Sequence, residues 1–298
     1  MRILITGGTG LIGRRLCQAL LAEGHVLTVL SRRPETVAVK CGAAVRAIAS
    51  LDAWLPEQTF DAVINLAGEP IADARWTARR KKKLWDSRVT LTELLVRKIA
   101  AAKHKPSVLL SGSAVGFYGN GDLPVDESAQ AGNDFAAQLC RAWEDAASAA
   151  RPLGVRVCLL RTGLVLAPQG GLLGRLWLPF KLGLGARLGE GRQWMSWVHI
   201  DDHIAMMLKL LRDESLSGPF NLTAPEPVTN ADFTRGLARA VQRPAWFVAP
   251  ALFLRLMLGE RASLLLEGQR VLPERMRQLG FAHRYPNLEE ALRDVSAR

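Results

Sequence analysis

The first thirteen residues, Met1–Gly13 (MRILITGGTGLIG), decide the fold of this chain. Arg2–Thr6 is a short apolar run typical of a β-strand, glycines follow it directly, and an apolar helical pattern opens near Leu16. A strand, a glycine turn and a helix start form the first unit of a dinucleotide-binding sheet, because a turn without side chains lets the backbone approach a pyrophosphate at the helix N-terminus. The residues predicted to contact the dinucleotide here are Gly7, Gly10, Leu11, Ile12 and Gly13.

Length and composition fit an intracellular α/β protein. The chain has 298 residues, of which 49% are apolar, which suffices for one large domain and a smaller one. No uncharged apolar run reaches the about 18 residues of a membrane span, and the N-terminal sequence lacks the pattern of a signal peptide. The four cysteines are scattered without a CxxC pair. This spacing predicts no metal site and no disulfide framework, and it favours the reducing cytoplasm.

Positive charge dominates the chain, with a formal net charge of +11 and a basic run, RRKKK, at Arg79–Lys83. Two interpretations are open: a nucleic-acid-binding surface, or a solvated helix face that also attracts a polyanionic cofactor. We favour the second, because the charge is spread along the chain and only two tyrosines could stack on bases. The sequence therefore predicts no nucleic-acid partner and no integral membrane segment.

The end of the second predicted strand, His25–Leu30, is the position that selects the nicotinamide cofactor. Proteins that bind NAD normally place an acidic residue here to hold the ribose hydroxyls. This chain instead has Ser31 followed by Arg32 and Arg33. A guanidinium can grip a phosphate with its planar fork, so Arg32 with Ser31 predicts binding of the 2′-phosphate of NADP(H). The alternative is that these arginines are merely exposed at a strand end.

A third predicted strand, Asp61–Leu66, ends in small residues that let an adenosine lie against the backbone. The cofactor contacts predicted at this strand end are Leu66, Ala67 and Gly68. A helix predicted over residues 77–102 then carries Lys83 and Arg88 on one side. Both are candidate phosphate or ribose partners, and the alternative is that both are ordinary surface charges.

These landmarks resemble a known family when they are taken together. TGGTGLIG fits both GxGxxG from Gly8 and TGxxGxxG from Gly7, and SRRP, NLAGEPI, LRTGLVLAP, GEGRQ, WVHIDD and LEGQRVLPERM extend the match over nearly the whole chain. The set resembles atypical extended short-chain dehydrogenases, the epimerase family proteins with their own small C-terminal domain. The resemblance implies a Rossmann fold that binds NADP(H). The contacts it implies are Ser31, Arg32, Leu66, Ala67, Lys83, Arg88 and Arg161, the last beside the nicotinamide.

The catalytic half of the pattern is incomplete. Ser111–Gly119 is similar to the SSxxxYG stretch of the extended branch, one residue longer. The similarity implies that Ser113 bonds the substrate oxygen, with Ser111 beside it among the cofactor-binding residues. The general acid of the superfamily is the tyrosine of YxxxK. Aligned on Glu144, those positions fall on Ala136 and Cys140, and a shift of one residue gives Phe135 and Leu139, so neither register has a titratable pair. Tyr118 is the only nearby phenol and could substitute. The alternatives are that Ser113 satisfies turn backbone and that Tyr118 packs under the loop.

Two later segments, one with a histidine–aspartate pair and one that is largely apolar, each allow two interpretations. His199 and Asp201 look like a metal or catalytic pair in isolation, but WVHIDD resembles the segment of the extended branch that returns to the main domain. By that resemblance they fix the crossing, with Asp201 as the cap of the next helix. Residues 251–268 are apolar along one face. They could lie on a membrane, and we favour the alternative that they cover the substrate cleft.

The sequence as a whole predicts an α/β fold: a doubly wound parallel Rossmann sheet of about seven strands with a smaller, mostly helical substrate domain. We expect residues 1–163 plus 196–224 in the first domain and 164–195 plus 225–298 in the second. The predicted function is NADP(H)-dependent oxidoreductase or epimerase-like chemistry on a carbonyl or alcohol carbon of a small molecule. The alternative is a non-catalytic NADP(H)-binding sensor. The expected assembly is a monomer or homodimer.

Overall fold

The computed structural model describes residues 1–168 and 170–297, and across them the chain forms one parallel sheet of seven strands with helices on both faces. The strands of the described residues, in chain order, are β1 (Arg2–Thr6), β2 (Val26–Leu30), β3 (Arg46–Ile48), β4 (Ala62–Asn65), β5 (Val108–Ala114), β6 (Gly121–Val125), β7 (Arg156–Thr162), β8 (Leu164–Leu166), β9 (Ala186–Leu188), β10 (Trp194–Met195), β11 (Trp197–His199), β12 (Gly218–Leu222), β13 (Val228–Thr229), β14 (Phe247–Ala249) and β15 (Gln269–Val271).

Helices connect these strands. The α-helices are α1 (Leu11–Ala22), α2 (Val37–Cys41), α3 (Ala78–Trp85), α4 (Leu91–Ala101), α5 (Phe135–Ser148), α6 (Gly171–Lys181), α7 (Ile200–Arg212), α8 (Asn230–Ala240), α9 (Ala251–Leu258), α10 (Ser263–Leu266), α11 (Glu274–Gln278) and α12 (Leu288–Ala297). A π-helical turn, Asp86–Thr90, joins α3 to α4, so the helix predicted over 77–102 is nearly continuous. Short 3₁₀ turns lie at Pro34–Thr36, Leu51–Ala53, Val115–Tyr118, Arg151–Leu153 and Gly259–Ala262.

The order of the strands in the sheet determines where a ligand crevice can form. The sheet runs β12-β7-β5-β4-β1-β2-β3, with every pair parallel. The chain builds outward from β1 to β3 and then returns to β4 on the other side of β1. In open α/β sheets this reversal opens a crevice at the carboxyl ends of the strands, where ligands bind. The predicted doubly wound Rossmann sheet is confirmed, although the short edge strand β3 was not expected.

Two buried layers hold the sheet between its helices. On one face, Leu110 packs with Leu16 of α1 and Met207 of α7. On the other face, Leu109 packs with Leu95 of α4 and residues of α5. Neighbouring residues of a strand point to opposite faces, so the continuous apolar run of β5 feeds both layers. Each fully buried leucine contributes about 1.5–3 kcal/mol, which makes these layers the main source of stability.

Helices α6, α8 and α12 form a third buried cluster together with Trp197 of β11. It includes Leu173, Phe180, Phe233 and Leu292. Short strand pairs join this part of the chain: β8 with β11, β9 with β14 and β10 with β13. The sequence predicted mainly helices here, and these pairs are too short to give a period-2 signal. The predicted residue ranges of the two domains stay a prediction.

The start of α7 differs from expectation. His199 is its N-cap residue, and its ring Nδ1 accepts a hydrogen bond from the backbone N–H of Asp201 at 3.1 Å. The expectation that Asp201 caps the helix is wrong, because its carboxylate lies in the first turn and pairs with Arg15 Nε at 3.0 Å. Within residues 1–168 and 170–297, no group of three or more metal-ligating side chains occurs. Over the same ranges, no helix combines the length and apolar character needed to cross a membrane.

Candidate nucleotide-binding site

The glycine turn after β1 lies against the end of β4 with no room for side chains. Gly7 has φ +70°, and a Cβ there would lie 2.5 Å from the carbonyl carbon of Leu66. A Cβ on Gly13 would lie 2.3 Å from the carbonyl oxygen of Gly7. Helix α1 starts directly after the turn, with no side-chain cap and no acidic residue in its first turn. Its first N–H groups are therefore available to an anion.

Buried hydroxyl and amide groups fix the strand ends beneath this turn. Thr6 donates through Oγ1 to Asn65 Oδ1 at 2.6 Å and accepts from the N–H of Ala67 at 3.2 Å. Asn65 Nδ2 donates to Thr92 Oγ1 at 2.8 Å and to Ser111 Oγ at 3.3 Å. These contacts tie β1, β4 and β5 together. Ser111 is fully buried in this network, so its hydroxyl supports the floor of the site.

Three cations converge on one carboxylate beside the turn, and we call Glu69, Arg32, Arg80 and Lys83 the Glu69 cluster. Arg32 Nη1 lies 2.6 Å from Glu69 Oε1, Arg80 Nη1 lies 3.4 Å from Oε2, and Lys83 Nζ lies 3.7 Å from Oε1. The hydrogen bond and charge of Arg32, with the nearby Lys83 and Arg80, lower the pKa of Glu69, against a smaller opposing effect of burial. The Arg32 side chain is 84% exposed. Arg80 is largely buried, and its Nε has no hydrogen-bond partner among the described residues.

Arg88 and Ser31 lie deeper around the same cluster. Arg88 donates through Nη2 to the carbonyl oxygen of Glu69 at 2.9 Å, and burial lowers its pKa. Its guanidinium carbon lies 3.0 Å from where a Cβ on Gly68 would be. Ser31 Oγ accepts from the N–H of Arg33 at 3.1 Å. The structure therefore brings Ser31, Arg32 and Arg88 to one edge of the sheet, as the strand-end argument requires.

The two predicted catalytic residues lie in a buried polar network, which we call the Glu144 network: Ser113, Tyr118, Glu144, Arg161 and Asn221. Ser113 donates through Oγ to Glu144 Oε1 at 2.6 Å. Arg161 meets the same carboxylate with two nitrogens, each at 2.9 Å. Ser113 is 5% exposed and Arg161 is 4% exposed. The network thus joins the ends of β5 and β7 to helix α5.

Tyr118 is held at the other end of the Glu144 network. Its hydroxyl donates to Asn221 Oδ1 at 2.6 Å and accepts from Arg161 Nη1 at 2.9 Å. Burial raises the pKa of Tyr118 to about 12. The Arg161 guanidinium also stacks on the ring of Phe117, 3.5 Å from its centroid. The catalytic roles of Ser113 and Tyr118 and the nicotinamide contact of Arg161 stay predictions, and these inward hydrogen bonds weigh against them.

Four residues of these clusters were not predicted as site residues: Glu69, Arg80, Glu144 and Asn221. Glu69 stands in the quoted NLAGEPI motif and Arg80 in the basic run, so both segments were visible without their pairing. A glutamate directly after a glycine at a strand end could have signalled a counter-ion for Arg32. Glu144 gave no such signal, because its partners lie 17 and 31 residues away along the chain.

Comparison with protein families gives two matches along the chain. Residues 3–222 match the model of the NAD dependent epimerase/dehydratase family. Residues 249–295 match a separate domain of unknown function, DUF1731. The first match covers the seven-stranded sheet from Ile3 in β1 to the end of β12, and the second contains α9 to most of α12.

Curated relatives and solved structures match over nearly the full length. An epimerase family protein of Mycobacterium bovis is 42% identical over 99% of this chain and 98% of its own length. A chloroplastic homologue from Arabidopsis thaliana is 39% identical over 99% of this chain and 86% of its own. The crystal structure of a human epimerase family protein, SDR39U1, with NADPH aligns with a TM-score of 0.90 at 34% identity, covering 100% of both chains. A UDP-glucose 4-epimerase from Thermotoga maritima, at 17% identity and a TM-score of 0.80, shares the fold.

Proposed function

Because the chain belongs to the NAD dependent epimerase/dehydratase family, we propose that it binds NADP(H) and uses it to oxidise or reduce a carbonyl or alcohol carbon of a small molecule. The observation that carries this proposal is the Glu69 cluster beside the glycine turn. Its three cations surround one carboxylate and retain an excess of positive charge for a phosphate. The human relative crystallised with NADPH supports the same cofactor.

The residues present fit the cofactor at both of its anionic groups. The turn has no room for a Cβ at Gly7 or Gly13, which suits the approach of the pyrophosphate to the N-terminus of α1. Arg32 is exposed and held by one carboxylate, so it can turn to a 2′-phosphate, while the unpartnered Nε of Arg80 offers a further donor. When bound, NADP(H) supplies or accepts the hydride.

The tyrosine of YxxxK, which transfers the proton to or from the substrate oxygen in the superfamily, is absent, so another group must transfer this proton. Ala136 and Cys140 stand where YxxxK would place its pair, and Tyr118 directs its proton to Asn221 inside the protein. We therefore assign the proton transfer to solvent water at the cleft. The Glu144 network holds the strand ends that shape the cleft.

The second candidate function is non-catalytic NADP(H) binding, and the inward-facing Tyr118 hydroxyl favours it. The two functions are separated by titrating the protein with NADPH and then following nicotinamide absorbance with a panel of carbonyl compounds and nucleotide sugars. Saturable binding with turnover of a panel member supports the enzyme. Binding without turnover on the whole panel supports the sensor, and an absence of binding contradicts both.

Tyr118→Phe tests the assignment of the proton. We expect NADPH affinity and any turnover to stay within about twofold of the unmodified protein, because the phenol lies outside the reaction. The free energy of unfolding falls by about 1–3 kcal/mol, since Asn221 and Arg161 lose a buried partner. Denaturant melts and turnover measured side by side check this. A loss of turnover of about 100-fold or more would make Tyr118 the proton donor after all.

Glu69→Gln tests the competition within the Glu69 cluster. The substitution removes the charge that holds Arg32 at 2.6 Å. Because the Arg32 side chain is 84% exposed, the pair is worth about 1 kcal/mol, so we expect NADPH to bind about two- to fivefold more tightly. NADH, which has no 2′-phosphate, serves as the control and changes little. Weaker NADPH binding contradicts this expectation and shows that the carboxylate orients the cations for the cofactor.

A further inference from the structure

Helix α9, Ala251–Leu258, is apolar on the side that faces solvent. None of its residues is buried. Leu252, Phe253, Leu256 and Met257 are 70%, 57%, 70% and 55% exposed. Their spacing of i, i+1, i+4 and i+5 places them on one side of the helix. A surface helix of a globular protein normally shows the reverse arrangement, with its apolar side inward.

The strand before α9 extends the same exposed surface. Trp246 is 85% exposed and Phe247 is 53% exposed. Phe247 pairs with Ala186, and Arg243 donates to the carbonyl oxygen of Lys181. The segment with the exposed Leu182 and Leu184 therefore runs beside the segment that leads to Trp246. We call the exposed side chains of α9, Trp246, Phe247, Leu182 and Leu184 the apolar face. Contiguous apolar surfaces of this kind mark sites of association with a protein or a membrane.

The orientation of α9 is fixed by contacts at both of its ends. Arg75 donates to the carbonyl oxygens of Leu256 and Met257, each with a contact at 3.0 Å. At the start of the helix, Ala251 lies 3.5 Å from the position of a Cβ on Gly189. The helix is therefore pinned to the protein by its backbone and its inner side, and the apolar face is turned outward. The expected role of this segment as a cover of the substrate cleft stays untested.

Most of the charges around the apolar face are positive. The two acids that border its segments are each paired with a cation, Glu190 with Arg192 and Glu260 with Lys81. The sequence has no acidic residue between Asp145 and Glu190, or between Asp232 and Glu260. Lys181, Arg187, Arg243 and Arg255 lie in these segments and are exposed. Arg243 Nε donates to the carbonyl oxygen of Lys181 at 3.2 Å, which places two of these cations at the same edge. Within the described part of the chain, none of the four has a carboxylate partner in an ion pair.

We propose that the apolar face docks on the surface of an anionic lipid bilayer. Aromatic and aliphatic side chains enter the headgroup region, and the surrounding lysine and arginine side chains pair with lipid phosphates. A second copy of the chain fits less well, because a two-fold interface would bring these cations against one another. This inference is independent of the cofactor and of the proposed reaction.

Flotation of the full chain with vesicles tests the proposal. We expect binding to vesicles of mixed phosphatidylcholine and phosphatidylglycerol, at least tenfold stronger than to pure phosphatidylcholine and weakened by salt. Leu252→Glu combined with Leu256→Glu is expected to reduce this binding by at least tenfold. The matched control is Leu123→Glu, which changes a leucine of β6 that is 79% exposed and leaves binding intact. Circular dichroism spectra and thermal melts of each variant show whether the fold is retained.

Four results would overturn the proposal. The unmodified protein could fail to bind either kind of vesicle, or could bind both kinds equally. The double variant could bind as well as the unmodified protein, which would place vesicle binding on another basic surface such as Arg79–Lys83. The unmodified protein could also form a dimer that the double variant loses, which would assign the apolar face to a second copy. Sedimentation velocity on both proteins distinguishes this last case.

Discussion

Arg32→Ala is expected to weaken NADPH binding by about 10- to 100-fold and to leave NADH binding within about twofold. Arg32 carries the exposed guanidinium at the end of β2, and only the 2′-phosphate of NADP(H) gives it an ionic partner on the ligand. A hydrogen bond to a charged group contributes about 1.5–3 kcal/mol, which corresponds to this range of affinity. Fluorescence titration with each reduced cofactor measures the two dissociation constants.

Arg33→Ala is the matched control for this prediction. Arg33 is the next residue, is also exposed, and forms no ion pair with a described residue. The two variants lose the same charge from the same loop, so a general electrostatic effect would weaken NADPH binding equally in both. We expect only Arg32→Ala to change the ratio of the NADH and NADPH dissociation constants. An unchanged ratio contradicts the assignment of the 2′-phosphate to Arg32.

The sheet was largely predictable because its information is local. Strands β1, β2 and β4 are apolar runs bounded by glycine or polar residues, and each lies within a few residues of its predicted range. β5 runs on to Ala114, past its apolar residues Val108–Leu110, and the serines in its second half are hydrogen-bonded inside the protein. The edge strand β3 has only three residues and too little apolar character to signal a strand.

The candidate site was predictable only where chain order fixes position. Glycines directly after β1 must lie at the sheet edge, and so must Arg32 after β2. Side-chain direction is different, because it depends on partners far along the chain. Tyr118 turns inward to reach Asn221, which is 103 residues away. No local pattern distinguishes that phenol from one facing a substrate.

The Glu144 network also gives a physical account of the missing YxxxK pair. The carboxylate of Glu144 lies one helical turn beyond Cys140, at the ends of β5 and β7. Burial raises the pKa of the Cys140 thiol to about 12, so it stays neutral there. Arg161 brings the positive charge from β7 instead, and it is neutralised by Glu144 inside the protein. The charges of Arg161 and Glu144 therefore pair with each other inside the protein and hold β7 to α5.

Glu144→Gln is accordingly expected to lower the free energy of unfolding by about 3–5 kcal/mol. The substitution leaves the Arg161 guanidinium buried without its counter-ion. Removing one partner of a buried ion pair costs far more free energy of unfolding than the intact pair contributes to stability. Ser113 also loses a charged acceptor at 2.6 Å. Urea unfolding followed by circular dichroism measures the change.

Two further variants separate this explanation from a general loss of packing. Glu289→Gln breaks an ion pair with Arg239 that is 61% exposed on the glutamate side, so its effect is expected to stay below about 1 kcal/mol. Glu144→Gln combined with Arg161→Met removes the unpaired charge as well, and we expect the double variant to be more stable than Glu144→Gln alone. If the double variant is instead the less stable of the two, the cost comes from lost packing of the arginine on Phe117, and the buried charge is not its cause.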